Sequence, residues 1–183
     1  TKFNANGNSI IYSALIGGYS ADGAYDVMVD SSNRAVITGY AGYFSSSWWW
    51  DQWKFPTTSG AYDRNFNGGQ GTYDAFLMRI ASNGRSMEFS TLIGSSADEY
   101  GYAVAEDDEG NYYITGQTNS DNYPTTSGAF DRTRNGIDSF ISKFNGQGSS
   151  LLASTFLGGS GTERGWGLVA DDSGRPCVVG ETN

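Results

Sequence analysis

The chain has no histidine, one cysteine, and 11 lysines and arginines against 20 acidic residues, a net charge of −9. Without imidazole, general-base chemistry falls to carboxylates. The few basic residues are scattered, which argues against a nucleic-acid groove, since phosphate binding needs clustered Lys and Arg. No run approaches the roughly 18 apolar residues of a membrane span. The N-terminus lacks the charged start and apolar stretch of a signal peptide, so the sequence reads as a processed or partial chain. Also missing are C-x-x-C, G-x-S-x-G, a Gly-rich phosphate loop between strand and helix, and an N-x-S/T acceptor. The lone Cys177 cannot form an intramolecular disulfide. Its counterparts in the repeat described next are Tyr113 and Val36, so it is expected as a small buried residue.

What the chain does have is 26 glycines, 15% aromatic residues and short apolar runs broken by Gly, Asn, Asp and Ser. That is an all-β profile with many turns. Leu15-Ile16-Gly17-Gly18 returns as Leu92-Ile93-Gly94-Ser95 and as Phe156-Leu157-Gly158-Gly159, at offsets of 77 and 64. Tyr25, Tyr102 and Trp166 correspond, as do Gly39, Gly116 and Gly180, and Phe3, Ile80 and Phe144. Self-similarity of this length means a repeat architecture whose units bury their apolar faces on one another.

The middle copy predicts four strands: Met87–Ile93, ending at a Gly for a tight turn, Tyr100–Glu106, Tyr112–Gln117 and Ile137–Phe144. Asp107–Asn111 forms a hairpin turn, and Thr118–Gly136 a longer link containing Pro-Thr-Thr-Ser-Gly-Ala. The first copy carries nine extra residues before Pro56 and four before Asp74, both in that link, as surface connections tolerate. The fold class expected is all-β, with β-propeller blades of four antiparallel strands. A β-sandwich or solenoid is the competitor. The copies span 1–77, which carries the Trp-rich insertion at 45–55, then 78–141, and a partial third at 142–183 lacking most of its fourth strand. That makes about two and two-thirds repeats, part of a larger ring or of a repeat filament.

S-T-L-I-G-S, Y-A-V-A-E-D-D-E-G-N-Y-Y-I-T-G-Q-T-N-S, Y-P-T-T-S-G-A-F-D and D-S-F-I-S-K-F-N together resemble the bacterial β-propeller repeat family SBBP over nearly the whole chain. The resemblance implies a propeller fold and an extracellular or cell-surface setting, and carries no catalytic residues. Ser95 in place of the second Gly, Pro176-Cys177 opening a strand, and the Trp-rich insertion depart from the pattern. Pro176, without an N–H, is expected at a strand's first position.

Three sets of candidate residues follow. The chain begins at the tail of a fourth strand, Thr1, Lys2, Phe3 and Asn4, and its last copy is incomplete around Cys177, Val178 and Val179. Open sheet edges recruit partners, so these residues are candidates for strand addition between copies, which yields filaments if it does not close. Truncation of a longer ring is the alternative. The turns holding Asp30, Asp107, Asp108, Asp171 and Asp172 can offer oxygens to Ca²⁺, but the D-x-D-x-D spacing with a closing Glu is missing, and hairpin turns with solvated acids are the simpler reading. No other cofactor is implied. Trp48, Trp49, Trp50 and Trp53 can bury an interface between copies, fold over their own blade, or stack on sugars. Ser and Thr of the two Pro-Thr-Thr-Ser links are loop residues, or acceptors of O-linked sugar. The reading is a non-catalytic structural or adhesive repeat protein that partners with itself, with a glycan- or protein-binding module second. A polysaccharide hydrolase comes third, because adjacent acids such as Glu106 and Asp107 point to opposite faces of a strand.

Overall fold

The computed structural model describes residues 1–43 and 54–183. The candidate tryptophans Trp48, Trp49, Trp50 and Trp53 lie outside the described residues. Twelve strands are assigned: β1 Lys2–Phe3, β2 Ile10–Tyr12, β3 Asp22–Val29, β4 Ala35–Gly42, β5 Tyr73–Ile80, β6 Met87–Ile93, β7 Glu99–Glu106, β8 Tyr112–Thr118, β9 Asp138–Phe144, β10 Leu151–Leu157, β11 Glu163–Ala170 and β12 Pro176–Thr182. There is no helix among the described residues. Two complete antiparallel sheets, β3-β4-β5-β6 and β7-β8-β9-β10, lie between two two-stranded ones, β1-β2 and β11-β12. Strand β7 packs on β3, β4 and β5 of the preceding sheet, and β11 packs on β7, β8 and β9. The sheets stack face to face and do not close into a ring.

The four strands expected in the middle copy are all present, but not all in one sheet. Met87–Ile93 pairs with β5, so each complete sheet holds the second, third and fourth strands of one copy and the first of the next. The reason is local. The five residues 81–85 turn tightly, with the Ala81 and Gly84 amides donating to Ser86 and Ala81 carbonyls and Gly84 at φ 70, and the two flanking strands zip into a hairpin. The turns that join second to third strands also repeat, with Asn33, Gly110 and Gly174 in the left-handed region at φ 60, 77 and 69.

Between the two complete sheets lies one apolar cluster: Val36, Leu77, Phe89 and Ile93 from the first, with Val104, Tyr112, Ile114, Phe140, Phe144 and Phe156 from the second. Burying each of those phenylalanines is worth about 2–3 kcal/mol. All seven residues of β8 are buried, because β8 is a middle strand with a sheet on either face. Such a strand shows no alternation of polarity, unlike β3, whose Tyr25, Val27 and Val29 remain more than half exposed.

Two expectations need correction. Cys177 is exposed, because β12 belongs to the last sheet and no further sheet covers it as the second covers Val36. Gly94 does not make a left-handed turn. A Cβ there would meet Asp74 Oδ1 at 2.5 Å and Glu99 Oε2 at 2.7 Å, so the glycine clears space for two carboxylates. Pro176 stands first in β12, where its missing N–H costs least.

Candidate functional site

The repeated aromatic and the repeated glycine form one device. In each of β3, β7 and β11 the register slips by one residue, between Ala24 and Asp26, Gly101 and Ala103, and Gly165 and Gly167. The residue left over is Tyr25, Tyr102 or Trp166. Such a bulge bends the strand and re-aims its side chain. Opposite it lie Gly39, Gly116 and Gly180, where a Cβ would be driven into the carbonyl of Gly23, Tyr100 or Arg164. The bulged rings then meet across the sheets: Tyr25 to Tyr102 at 5.0 Å edge-on, and Tyr102 to Trp166 at 4.3 Å stacked. Tyr40 joins this ladder at Tyr25, 5.6 Å away, and Tyr100 at Tyr102, 6.1 Å away, with Tyr73 against both Tyr40 and Tyr100. Tyr25 and Trp166 are about half exposed, 52% and 48%, so the ladder offers aromatic faces to a ligand as well as joining blades. Burial, and then the neighbouring Tyr25, push the Tyr102 phenol up to about 12, so it stays a neutral donor.

The acidic turns are anchored by cations. Asp30 accepts from the Ser32 and Arg34 amides, from Arg34 Nε at 2.6 Å and from the Tyr112 hydroxyl of the next sheet at 3.1 Å. Asp107 accepts from the Glu109 and Asn111 amides and pairs with Lys143 at 2.8 Å. Burial alone would raise its carboxyl, but the Lys143 and Asn111 bonds outweigh it and bring it down to about 2. Asp171 repeats the arrangement with Ser173 and Arg175. Asp108 and Asp172 are exposed beside them. Among the described residues no three His, Cys, Asp or Glu side chains gather as a metal site. The side-chain oxygens of Asp30, Asp107 and Asp171 are thus taken up by donors of the turns themselves and of the neighbouring cations.

The two halves of the predicted strand-addition surface sit on separate sheets. Lys2 and Phe3 form β1, which pairs with β2, while the Thr1 hydroxyl bonds that of Ser13 and the Asn4 carbonyl oxygen caps the Asn8 amide. Cys177, Val178 and Val179 pair with Val169, Leu168 and Gly167 of β11. The outer edge of β12 has no strand against it among the described residues, and Val179 is 70% exposed.

The Pro-Thr-Thr-Ser links have a role that sequence reasoning missed. Thr58 exchanges hydrogen bonds with Ser90 of β6, and Thr126 with Ser154 of β10, while the Asp63 and Asp131 carbonyls accept from Leu92 and Phe156. Each link thus doubles back to seal the outer edge of its own sheet. The signal was available: Thr58 and Thr126 recur at the same distance after the repeated Pro56 and Pro124.

Four-stranded antiparallel sheets that recur with the sequence and stack face to face define a propeller-type repeat protein. Residues 88–124 match the model of the SBBP family, described as a beta-propeller repeat, which bears out over those residues the resemblance read from the sequence. The matched stretch runs from β6 through β7 and β8 to Pro124, the first residue of the Pro-Thr-Thr link. No curated protein matches the chain.

Proposed function

We propose that this chain is a non-catalytic structural or adhesive module of the cell surface or extracellular space, joining like units by strand addition. The observation that carries the reading is the outer edge of β12, against which no strand lies among the described residues. The equivalent edges of β4 and β8 hold β5 and β9, with Ala35 opposite Ile80 and Tyr112 opposite Phe144. The repeat offsets carry that register to Pro176 opposite Phe3, and Cys177 opposite Lys2, of a second copy. Lys2 then lies where Lys143 lies, next to the acidic turn, with Asp171 as its counter-ion in place of Asp107. The exposed apolar side chains of Phe3 and Val179 are covered by the same pairing.

The test is a Lys2→Cys variant. Facing residues of adjacent strands stand close enough for a disulfide, so oxidation is expected to link the introduced thiol to Cys177 of another copy and give a covalent ladder. Light scattering of the wild type should show particles larger than the 19.7 kDa chain. A monomer that forms no ladder overturns the reading.

The aromatic ladder favours a second reading, a binding module for glycans or a protein ligand. Retardation of the chain by a polysaccharide, lost in Trp166→Ala, would support it.

A further inference from the structure

At two successive joints between blades two buried acids meet. Asp74 near the start of β5 faces Glu99 at the start of β7, and one repeat later Asp138 of β9 faces Glu163 of β11. Asp74, Glu99 and Asp138 have no solvent exposure and Glu163 is 8% exposed. Both members of each pair border the space left by one glycine. A Cβ on Gly94 would meet Asp74 Oδ1 at 2.5 Å and Glu99 Oε2 at 2.7 Å, and one on Gly158 would meet Asp138 Oδ1 and Glu163 Oε2 at 2.7 Å each.

The hydrogen bonds are unequal within each pair, and unequal in the same way. Glu99 is well supplied: its Oε2 accepts from the Ser95 amide at 2.7 Å and its Oε1 from the Thr118 hydroxyl at 2.6 Å. Glu163 has the equivalent pair, the Gly159 amide at 2.9 Å and the Thr182 hydroxyl at 3.0 Å. The aspartates are poor. Asp74 accepts from the Asn67 amide through Oδ2, leaving Oδ1 without a partner, and Asp138 has only the Asn135 amide beside it, with no hydrogen bond of good geometry to either oxygen. A buried, unpartnered carboxylate oxygen costs several kcal/mol, and two facing carboxylates cost more. A proton on the aspartate lowers both penalties at once, because it removes the buried charge and the repulsion from the neighbouring glutamate.

We propose that Asp74 beside Glu99, and Asp138 beside Glu163, each form a pair that holds one proton in the folded protein, carried on the aspartate at the joint between blades. On folding each pair takes up one proton from solvent. The other ionisable groups facing the first pair are the acids Asp63 and Asp98 and the buried phenol of Tyr123, none of which opposes proton uptake. At the second pair Asp131 favours the proton and Arg134 disfavours it, although the Arg134 guanidinium is held on Asp121 at 2.5 Å. Burial is the largest influence on both aspartates, and carries Asp74 up to about 8 and Glu99 to about 7. One repeat earlier Asp22 stands at the position of Glu99 and accepts from the Gly18 and Gly42 amides.

The sign follows from linkage. A carboxyl raised on folding binds more protons in the folded state, so its contribution is present at mildly acidic pH and is lost as pH rises from about 4 through about 8. The test compares wild type with the double variant Asp74→Asn, Asp138→Asn, whose amides keep a donor but carry no titrating proton. Melting temperature is followed from pH 5 to 9, and folding is repeated in two buffers of different ionisation enthalpy. The wild type is expected to lose melting temperature steadily over that range and to take up about two protons on folding at pH 6. The double variant should give a flatter profile and melt above the wild type at pH 9. Infrared absorption of a protonated carboxylic acid persisting in the wild type at pH 7 supports the proposal even if the variant fails to fold. Parallel profiles, absence of that band, or a wild type stabilised at pH 8 by calcium and destabilised by chelator would overturn it, the last by giving the pair to a cation instead.

Discussion

Gly116→Ala isolates the bulge that shapes every second strand. A Cβ at Gly116 would sit inside the Tyr100 carbonyl, 2.8 Å from its carbon and 3.1 Å from the Gly101 Cα, and all three obstacles are backbone. Ordinary contact needs about 3.5 Å or more, so β7 must retreat by about 2 Å. It cannot do so freely, because β7 is packed on β3, β4 and β5 behind it and its pairs Tyr100–Gln117 and Gly101–Gly116 flank the point of conflict. Weakening one or two ladder bonds at about 1 kcal/mol each, with overpacking of about 1–3 kcal/mol, gives a loss of about 2–5 kcal/mol. In a domain of this size that lowers the melting temperature by about 10 °C. Urea unfolding followed by circular dichroism measures it, with Gly69→Ala as the control, since nothing lies within 4 Å of a Cβ there. Gly180→Ala meets the Arg164 carbonyl in the same way, but its outer edge is unpaired and β12 can move outward, so about half the loss is expected. A Gly116→Ala variant losing less than about 1 kcal/mol, or no more than Gly69→Ala, would refute the reasoning.

Phe140→Ala should cost about 3–5 kcal/mol in the same assay, because the ring is fully buried and packs on Tyr123 at 4.6 Å. Asn33→Gly should stabilise slightly, by less than about 1 kcal/mol, since Asn33 holds a φ of 60 where the other two copies have Gly110 and Gly174. The Asp107 carboxyl is depressed to about 2, so its contribution is present above the usual value near 4 and is lost as pH falls toward 2. Lys143→Met should therefore raise the pH of acid unfolding, read by tryptophan fluorescence.

The strands and turns were legible because the repeat marks them three times over. Met87–Ile93 begins and ends where the spacing placed it, and the turn at Asp107–Asn111 follows from Asp and Gly acting within a few residues of each other. The bulge was also written in the chain, as Tyr25, Tyr102 and Trp166 beside Gly39, Gly116 and Gly180, though only the pairing register shows what the two marks do together. The grouping of strands into sheets lay beyond reach, since a period of 64 or 77 residues has no phase: it does not say which strand opens a blade. The exposure of Cys177 depends on whether a further sheet lies against β12. The acid pairs were hidden for the same reason. Asp74 and Glu99 are 25 residues apart on different sheets, and neither is unusual until stacking buries both against Gly94. Local backbone preference and side-chain spacing act along the chain and can be read there. Desolvation, and the partner a buried group finds or lacks, are properties of the space between sheets.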